Sequence, residues 1–162
     1  MNATESLNIR AAVESDVPLI MQLICELADF EQLRHEVVAT ESKLKSDLFG
    51  DRPYAEVLLA FVGDDPAGFA LFFHNYSTFV GKPGIYLEDL YVRDAYRGQG
   101  AGTALLKAVG QLAVARNCGR YEWSVLNWNK RAIEFYEKMG ARPLSEWTVY
   151  RVKGESLLKM TQ

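Results

Sequence analysis

Three groups of residues in this 162-residue chain have the types and spacing to do chemistry. The first is Arg97, Gly98, Gln99, Gly100, Ala101, Gly102 and Thr103, placed between an apolar run of β type and an apolar run of helical type. Glycines let backbone amides approach an anion closely, and a helix start adds unpaired N–H groups and the positive end of its dipole. The pattern predicts a phosphate cradle built from backbone. It does not fit a P-loop, which ends in Gly-Lys-Ser/Thr. Nor does it fit the dinucleotide fingerprint, which, spaced from Gly98, needs a glycine where Thr103 stands. A flexible turn that merely caps a helix would need one glycine and accounts poorly for three at alternate positions.

The second group is Glu88 and Asp89, adjacent in the run IYLEDLYV at 85–92. Neighbours in a strand point to opposite faces, so at least one carboxylate is expected to face the core, where an unpaired charge is costly. A cationic amine is one candidate partner; a salt bridge to Arg or Lys, or an exposed edge, is the other. The third is Tyr136, whose phenol, with a pKa of about 10, could protonate a departing thiolate. Next to Phe135 on an apolar face, it could equally be core packing with a satisfied hydroxyl.

The elements that must position these groups follow from periodicity and punctuation. Leu7 to Ala11 reads as a strand, and Ser15 or Asp16 caps a helix with Pro18 in its first turn and Val17, Ile20, Leu23, Ile24 and Leu27 on one face. Thr40 caps a short second helix that ends at Gly50 to Pro53. Glu56 to Val62 and Ala67 to Tyr76 form a hairpin around Gly63 to Pro66. Ser77 to Gly84 is expected as a loop and Ile85 to Val92 as a strand. A helix runs from Ala101 to Asn117, a strand from Tyr121 to Leu126, and a helix capped by Asn129 from there to Met139, with Gly140 at its C-terminal cap. Trp147 to Val152 is expected to make a last strand. No repeat or linker interrupts the series, so residues 1–162 read as one α/β domain around a mixed sheet.

Composition narrows the function. Apolar residues are 49% and charged residues 24%, the balance of a globular protein rather than a disordered one. The net charge of −3 hides a gradient: residues 1–50 carry nine acids and four bases, 51–100 seven and four, and 101–162 five and ten. That asymmetry is compatible with a cationic ligand on the acidic part and an anionic one on the C-terminal part, and equally with unequal solvated faces. Overall acidity argues against nucleic acid. The apolar runs are too short to span a bilayer, and Met1 to Glu5 has no basic region followed by an apolar stretch, so a cytoplasmic location is expected. Cys25, Cys118, His35 and His74 are too scattered for a disulfide framework or a metal site, and both cysteines are expected to be buried.

Taken together, LEDLYV at 87–92, YRGQGAGTALL at 96–106 and WNKRAIEFYEKMGA at 128–141 resemble the GNAT superfamily of acetyl-CoA-dependent N-acetyltransferases. ELADFEQL at 26–33, YLED at 86–89 and LLKM at 157–160 are most similar to its diamine (spermidine/spermine) and thialysine branch. The resemblance covers nearly the whole chain. It implies a mostly antiparallel mixed sheet flanked by about four helices, acetyl-CoA as acyl donor and a small cationic amine as acceptor. It also implies a homodimer.

By position, the resemblance implies that Leu90, Tyr91 and Val92 offer backbone groups to the pantetheine arm and the thioester carbonyl. Arg97, Gly98, Gln99, Gly100, Ala101, Gly102 and Thr103 hold the pyrophosphate. Asn129, Lys130, Arg131 and Ala132 flank the cofactor arm, and Tyr136 is the general acid. Glu88 binds the amine or takes its proton, assisted by Asp89, and Phe30, Glu31, Glu122, Trp123, Ser124 and Glu146 line the amine pocket. Two departures bear on that pocket: Phe30 stands where the diamine enzymes carry Tyr, and the acidic turn is shortened to Ser145, Glu146 and Trp147. Direct attack of amine on thioester needs no covalent enzyme intermediate, which agrees with the lack of a Cys/His pair. Acetylation of another amino acid or a protein lysine, or a non-catalytic acyl-CoA-binding module, are the alternatives; a binder needs neither Tyr136 nor Glu88.

Overall fold

The computed structural model describes residues 6–162; the expectation drawn from Met1 to Glu5 lies outside them. The chain is organised as two compact units, one running to Ser124 and the other from Val125 to Gln162. In the first, the order is β1 (Leu7–Ala11), α1 (Val17–Phe30), α2 (Glu41–Phe49), β2 (Glu56–Val62), β3 (Asp65–Ser77), β4 (Lys82–Val92), α3 (Ala101–Ala115) and β5 (Tyr121–Trp123). The strands lie in sequence order, with every pair antiparallel except β4 and β5, which are parallel. This is the mixed sheet read from the residues, and the mostly antiparallel arrangement that the family resemblance implies.

Each face of the sheet is buried by a helix with a matching apolar stripe. Ile20, Leu23 and Leu27 of α1 and Leu48 of α2 meet Val57, Leu59, Phe69 and Leu71 on one face. On α3, Leu105, Leu106, Val109 and Ala113 recur at helical spacing and are buried. They belong to the opposite face, where the Tyr121 hydroxyl donates to the Leu106 carbonyl (3.3 Å). Thr40 caps α2 as expected, its hydroxyl accepting the Lys43 N–H at 3.2 Å. Asp16, expected to cap α1, instead accepts the Val13 N–H (2.8 Å) and pairs with Arg10. The helix α1 ends in a Schellman arrangement, with Gln32 N–H on the Asp29 carbonyl, Leu33 N–H on Ala28, and Gln32 itself left-handed at φ 60°.

Other expectations are corrected. Ser77 to Gly84 is not a loop, because Lys82, Pro83 and Gly84 pair with Ser77, Tyr76 and Asn75 and lengthen β4. Glycine is required at 84, since a Cβ there would collide with the Asn75 side-chain oxygen and the Arg120 stem. The strand expected over Tyr121 to Leu126 stops at Trp123. Both cysteines are free and only partly buried. The second unit contains α4 (Lys130–Lys138) and α5 (Glu155–Met160), a helix the sequence reading did not foresee. Trp147 to Val152 forms no strand, and Trp147, Val149 and Tyr150 are 76%, 82% and 90% exposed. A β-rich run becomes a strand only where a neighbour pairs its backbone.

Candidate active site

The site in the first unit is organised by an irregularity in β4. Asp89 pairs with Leu71 and Leu87 with Phe72, so Glu88 is an extra residue with no partner on β3. This β-bulge breaks the simple alternation expected of Glu88 and Asp89. Asp89 lies opposite Leu71, on the sheet face that α1 covers, while Glu88 is exposed at the bulge. Glu31 follows directly on α1, and its carboxyl is raised above the ordinary range by burial. Burial first, then the charges of Glu88 and Glu31, push the Asp89 carboxyl up to about 7. Two of the expected amine-site acids thus act on the carboxyl of a third, and Phe30 precedes Glu31 at the same helix end.

Beyond Leu87 the sheet opens. The strand β5 pairs only with Ile85, Tyr86 and Leu87, so the edge of β4 at Leu90, Tyr91 and Val92 has no β5 residue beside it. Backbone groups that point away from β3 are therefore not taken up by β5 there, and the Val92 carbonyl accepts from the Arg97 side chain. A short turn at Asp94–Tyr96 then leads to the glycine loop. Gly98 (φ 78°) and Gly100 (φ 89°) are both left-handed, which explains why no side chain is favoured at either. A Cβ at either position would meet nothing within 4 Å, so the loop presents an open backbone surface. Gly100 stands at the start of α3 with no side chain capping that helix, and the first-turn amides at Ala101, Gly102 and Thr103 have no intrahelical partners by position. The cradle therefore fits an anion such as the pyrophosphate of an acyl-CoA.

Arg97 behaves differently from the rest of its motif. Its Nε donates to the Val92 carbonyl at 2.8 Å and its guanidinium pairs with Asp94. The same group lies 4.7 Å from the Phe30 ring centre and 5.7 Å from that of Tyr91. Its side chain thus links the expected cofactor loop to the expected amine site.

On β5, alternation divides the expected pocket residues. Glu122 pairs in register with Tyr86, accepts from Asn75 Nδ2 at 2.9 Å and lies 2.9 Å from Arg120 Nε. That last approach is a charge pair without an aligned hydrogen bond, since Arg120 Nε and Asn75 Oδ1 are both buried without hydrogen-bond partners. The Ser124 hydroxyl bonds the Tyr86 hydroxyl at 2.7 Å. Trp123 turns to the other face, its ring 4.9 Å from that of Tyr121, on the α3 side.

In the second unit, the Asn129 side chain accepts the Ala132 N–H at 3.2 Å and so caps α4, with Lys130 and Arg131 exposed in its first turn. Tyr136 is partly exposed on α4, its ring 5.3 Å from that of Phe135. Glu146 sits in a turn closed by Trp147 N–H on the Leu144 carbonyl. The bulge at Glu88 and a bidentate Arg93–Glu26 pair are features the sequence reading missed. An unbroken β-type run conceals the first, and 67 residues separate the partners of the second.

Comparison with known proteins bears on the family and the fold. Residues 21–141 match the profile of the acetyltransferase (GNAT) family. The chain is 39% identical to the thialysine N-epsilon-acetyltransferase of Mus musculus, over 96% of this chain and 97% of that one. It is 38% identical to the L-ornithine N5-acetyltransferase of Arabidopsis thaliana, over 92% of this chain and 85% of the relative. Among solved structures, an integron cassette protein from the mobile metagenome of V. cholerae superposes with a TM-score of 0.81 at 26% identity, covering 97% and 98% of the two chains.

Proposed function

The chain belongs to the GNAT acetyltransferase family, and from that premise we propose that it moves the acetyl group of acetyl-CoA onto a primary amine of a small cationic molecule, with Asp89 taking the amine's proton. The observation that carries this reading is the Asp89 carboxyl held at about 7 beside Glu88 and Glu31. An aliphatic ammonium has a pKa of about 10.4, so giving its proton to an ordinary carboxylate costs about 9 kcal/mol, and to a group at about 7 only about 4.6 kcal/mol. Glu88, assigned from the resemblance as base or amine ligand, serves in this reading as the exposed counter-charge that receives the ammonium. Glu31 supplies a second. Glu122 is already neutralised by Arg120, and so contributes shape and polarity more than charge.

When bound, acetyl-CoA supplies an acyl carbon activated as a thioester. The backbone of Gly98 to Thr103 holds its pyrophosphate, and the open edge at Leu90, Tyr91 and Val92 takes the pantetheine arm and donates an N–H to the acyl oxygen. Asn129, Lys130, Arg131 and Ala132 flank that arm, and the Tyr136 hydroxyl gives its proton to the leaving sulfur. Glu146, Ser124, Trp123 and Phe30 shape the amine pocket. Residues 1–162 act as one catalytic domain, in the cytoplasm and as a homodimer. The exposed Trp147, Val149 and Tyr150 support the dimer, because such apolar surface favours a partner. No helix among the described residues is long and apolar enough to cross a membrane.

The relatives' names favour an amino acid with a side-chain amine, or a diamine, as acceptor. Purified protein should release free thiol from acetyl-CoA with such amines and far less with aminoglycosides, and light scattering should give twice the chain mass. Binding of acetyl-CoA with no thiol released by any amine of the panel would leave a non-catalytic acyl-CoA binder.

A further inference from the structure

We infer that Arg93 is a positioning residue for the amine site: by gripping Glu26 it holds the last turn of α1, and with it Glu31, against the bulged end of β4. The inference rests on the reading of Asp89, Glu88 and Glu31 proposed above. Arg93 Nε and Nη2 donate to the two Glu26 carboxylate oxygens at 2.9 and 2.8 Å, and Nη1 donates to the Pro66 carbonyl at 2.9 Å. Its own N–H bonds the Ala67 carbonyl at 2.9 Å. One side chain, from the residue that follows β4, therefore reaches both α1 and the start of β3. The pair is only 22% and 27% exposed, and a planar fork on a carboxylate fixes orientation as well as distance.

Spacing gives the pair its reach. Glu26 and Phe30 are four apart on α1 and share a helix face. Arg93 and Arg97 are four apart after β4; the first takes Glu26 and the second stacks on Phe30. Glu31 lies five residues beyond Glu26, about 7.5 Å along the helix axis. Buried Leu27 and Ala28 anchor the apolar side of this helix end, and Arg34 pairs with Asp29 at 2.9 Å on its exposed side; the Glu26–Arg93 fork is the charged tie from this end to the residue that follows β4. The charged groups that act on Asp89 are Glu88 on its own strand and Glu31 from α1, with apolar Leu71 across on β3. The Glu26–Arg93 pair, Arg97 and Asp94 act on Tyr91, two residues further along. If the grip is released, Glu31 moves off and water reaches Asp89, and the carboxyl returns toward its ordinary range.

The test compares Arg93→Gln, Glu26→Gln and the double variant in the full chain, with the best amine of the panel. The KM for amine should rise about tenfold or more while that for acetyl-CoA stays within about twofold, and the acid limb of kcat/KM should move down from about 7 by about a unit or more. The double variant should lose no more than the worse single one, because the two residues act as one device. Arg93→Lys keeps the charge and loses the fork; it should be intermediate, and it decides the matter if Arg93→Gln does not fold by circular dichroism. A folded variant with the limb unmoved and the amine KM within about twofold, or losses that simply add, overturns the inference. Asp89→Asn separates the two levels. If it retains full kcat/KM, the parent reading falls and takes this one with it; if it is inactive while the Arg93 variants are unchanged, only the positioning role falls.

Discussion

The glycine loop and the acidic end of β4 are separated by a few residues and work by opposite means. From Gly98 to Thr103 the loop offers backbone, so its shape depends on where a Cβ is absent and on two left-handed φ angles. The acidic end offers side chains, and its behaviour depends on what surrounds a single carboxyl. A backbone site tolerates changes of charge and is sensitive to conformation; a side-chain site is the reverse.

Removing the charge at Asp89 should break the comparison most sharply. Asp89→Asn is expected to lower kcat/KM for the amine by roughly 10²- to 10⁴-fold, the range for loss of a positioned base. Acetyl-CoA affinity, measured by calorimetry, should be unchanged. Equal loss of both would mean the two regions are not separable.

Asp89 should also leave a signature in stability, with a sign that follows from its raised carboxyl. Its folded value is about 7 and its unfolded value is the ordinary 3.8, so between these limits the folded chain binds the extra proton. Stability therefore falls as pH rises from about 4 to about 7, by up to about 4 kcal/mol, and the penalty is fully present above the folded value. Melting curves of the parent and of Asp89→Asn should diverge over that interval, with the variant the more stable at pH 8. Parallel curves would show that the carboxyl is not held as described.

The smallest effect is expected in the loop. Gly100→Ala places a Cβ at φ 89°, costing about 1–2 kcal/mol of local conformation. Acetyl-CoA binding should weaken by about five- to thirtyfold by the same energy, with the acid limb of the pH profile still near 7. A shifted limb would tie the loop to the carboxyl more tightly than Arg97 alone suggests.

What the sequence disclosed follows the same division. The loop, the Thr40 and Asn129 caps and the stripe of α3 are legible because their requirements are local: a φ angle, a side-chain acceptor, a helical period. The carboxylates are legible as residues but not in their roles. Period 2 assigns Glu88 and Asp89 to opposite faces, and nothing in IYLEDLYV marks the extra residue that re-registers them. Arg93 and Glu26 find each other only once α1 lies on the sheet. Pro83 and Gly84 read as loop because the partner that makes them strand, Asn75 and Tyr76 on β3, is chosen by tertiary pairing. Trp147 to Val152 errs the other way, with strand composition and no pairing in its unit.

The unpaired residue at Glu88 also divides the β3–β4 hairpin into two lengths that are fixed from different ends. The length near the turn, where Lys82 to Leu87 face Phe72 to Ser77, is anchored by the tight connection between the strands. The length beyond it, where Asp89 to Val92 face Gly68 to Leu71, is anchored from the far side by Arg93 N–H on the Ala67 carbonyl. A change of length in the turn can then be absorbed at the bulge without sliding Asp89 along its neighbour. The hairpin works as a vernier, and mutational drift at its tip is decoupled from the placement of the carboxyl proposed to take the amine's proton.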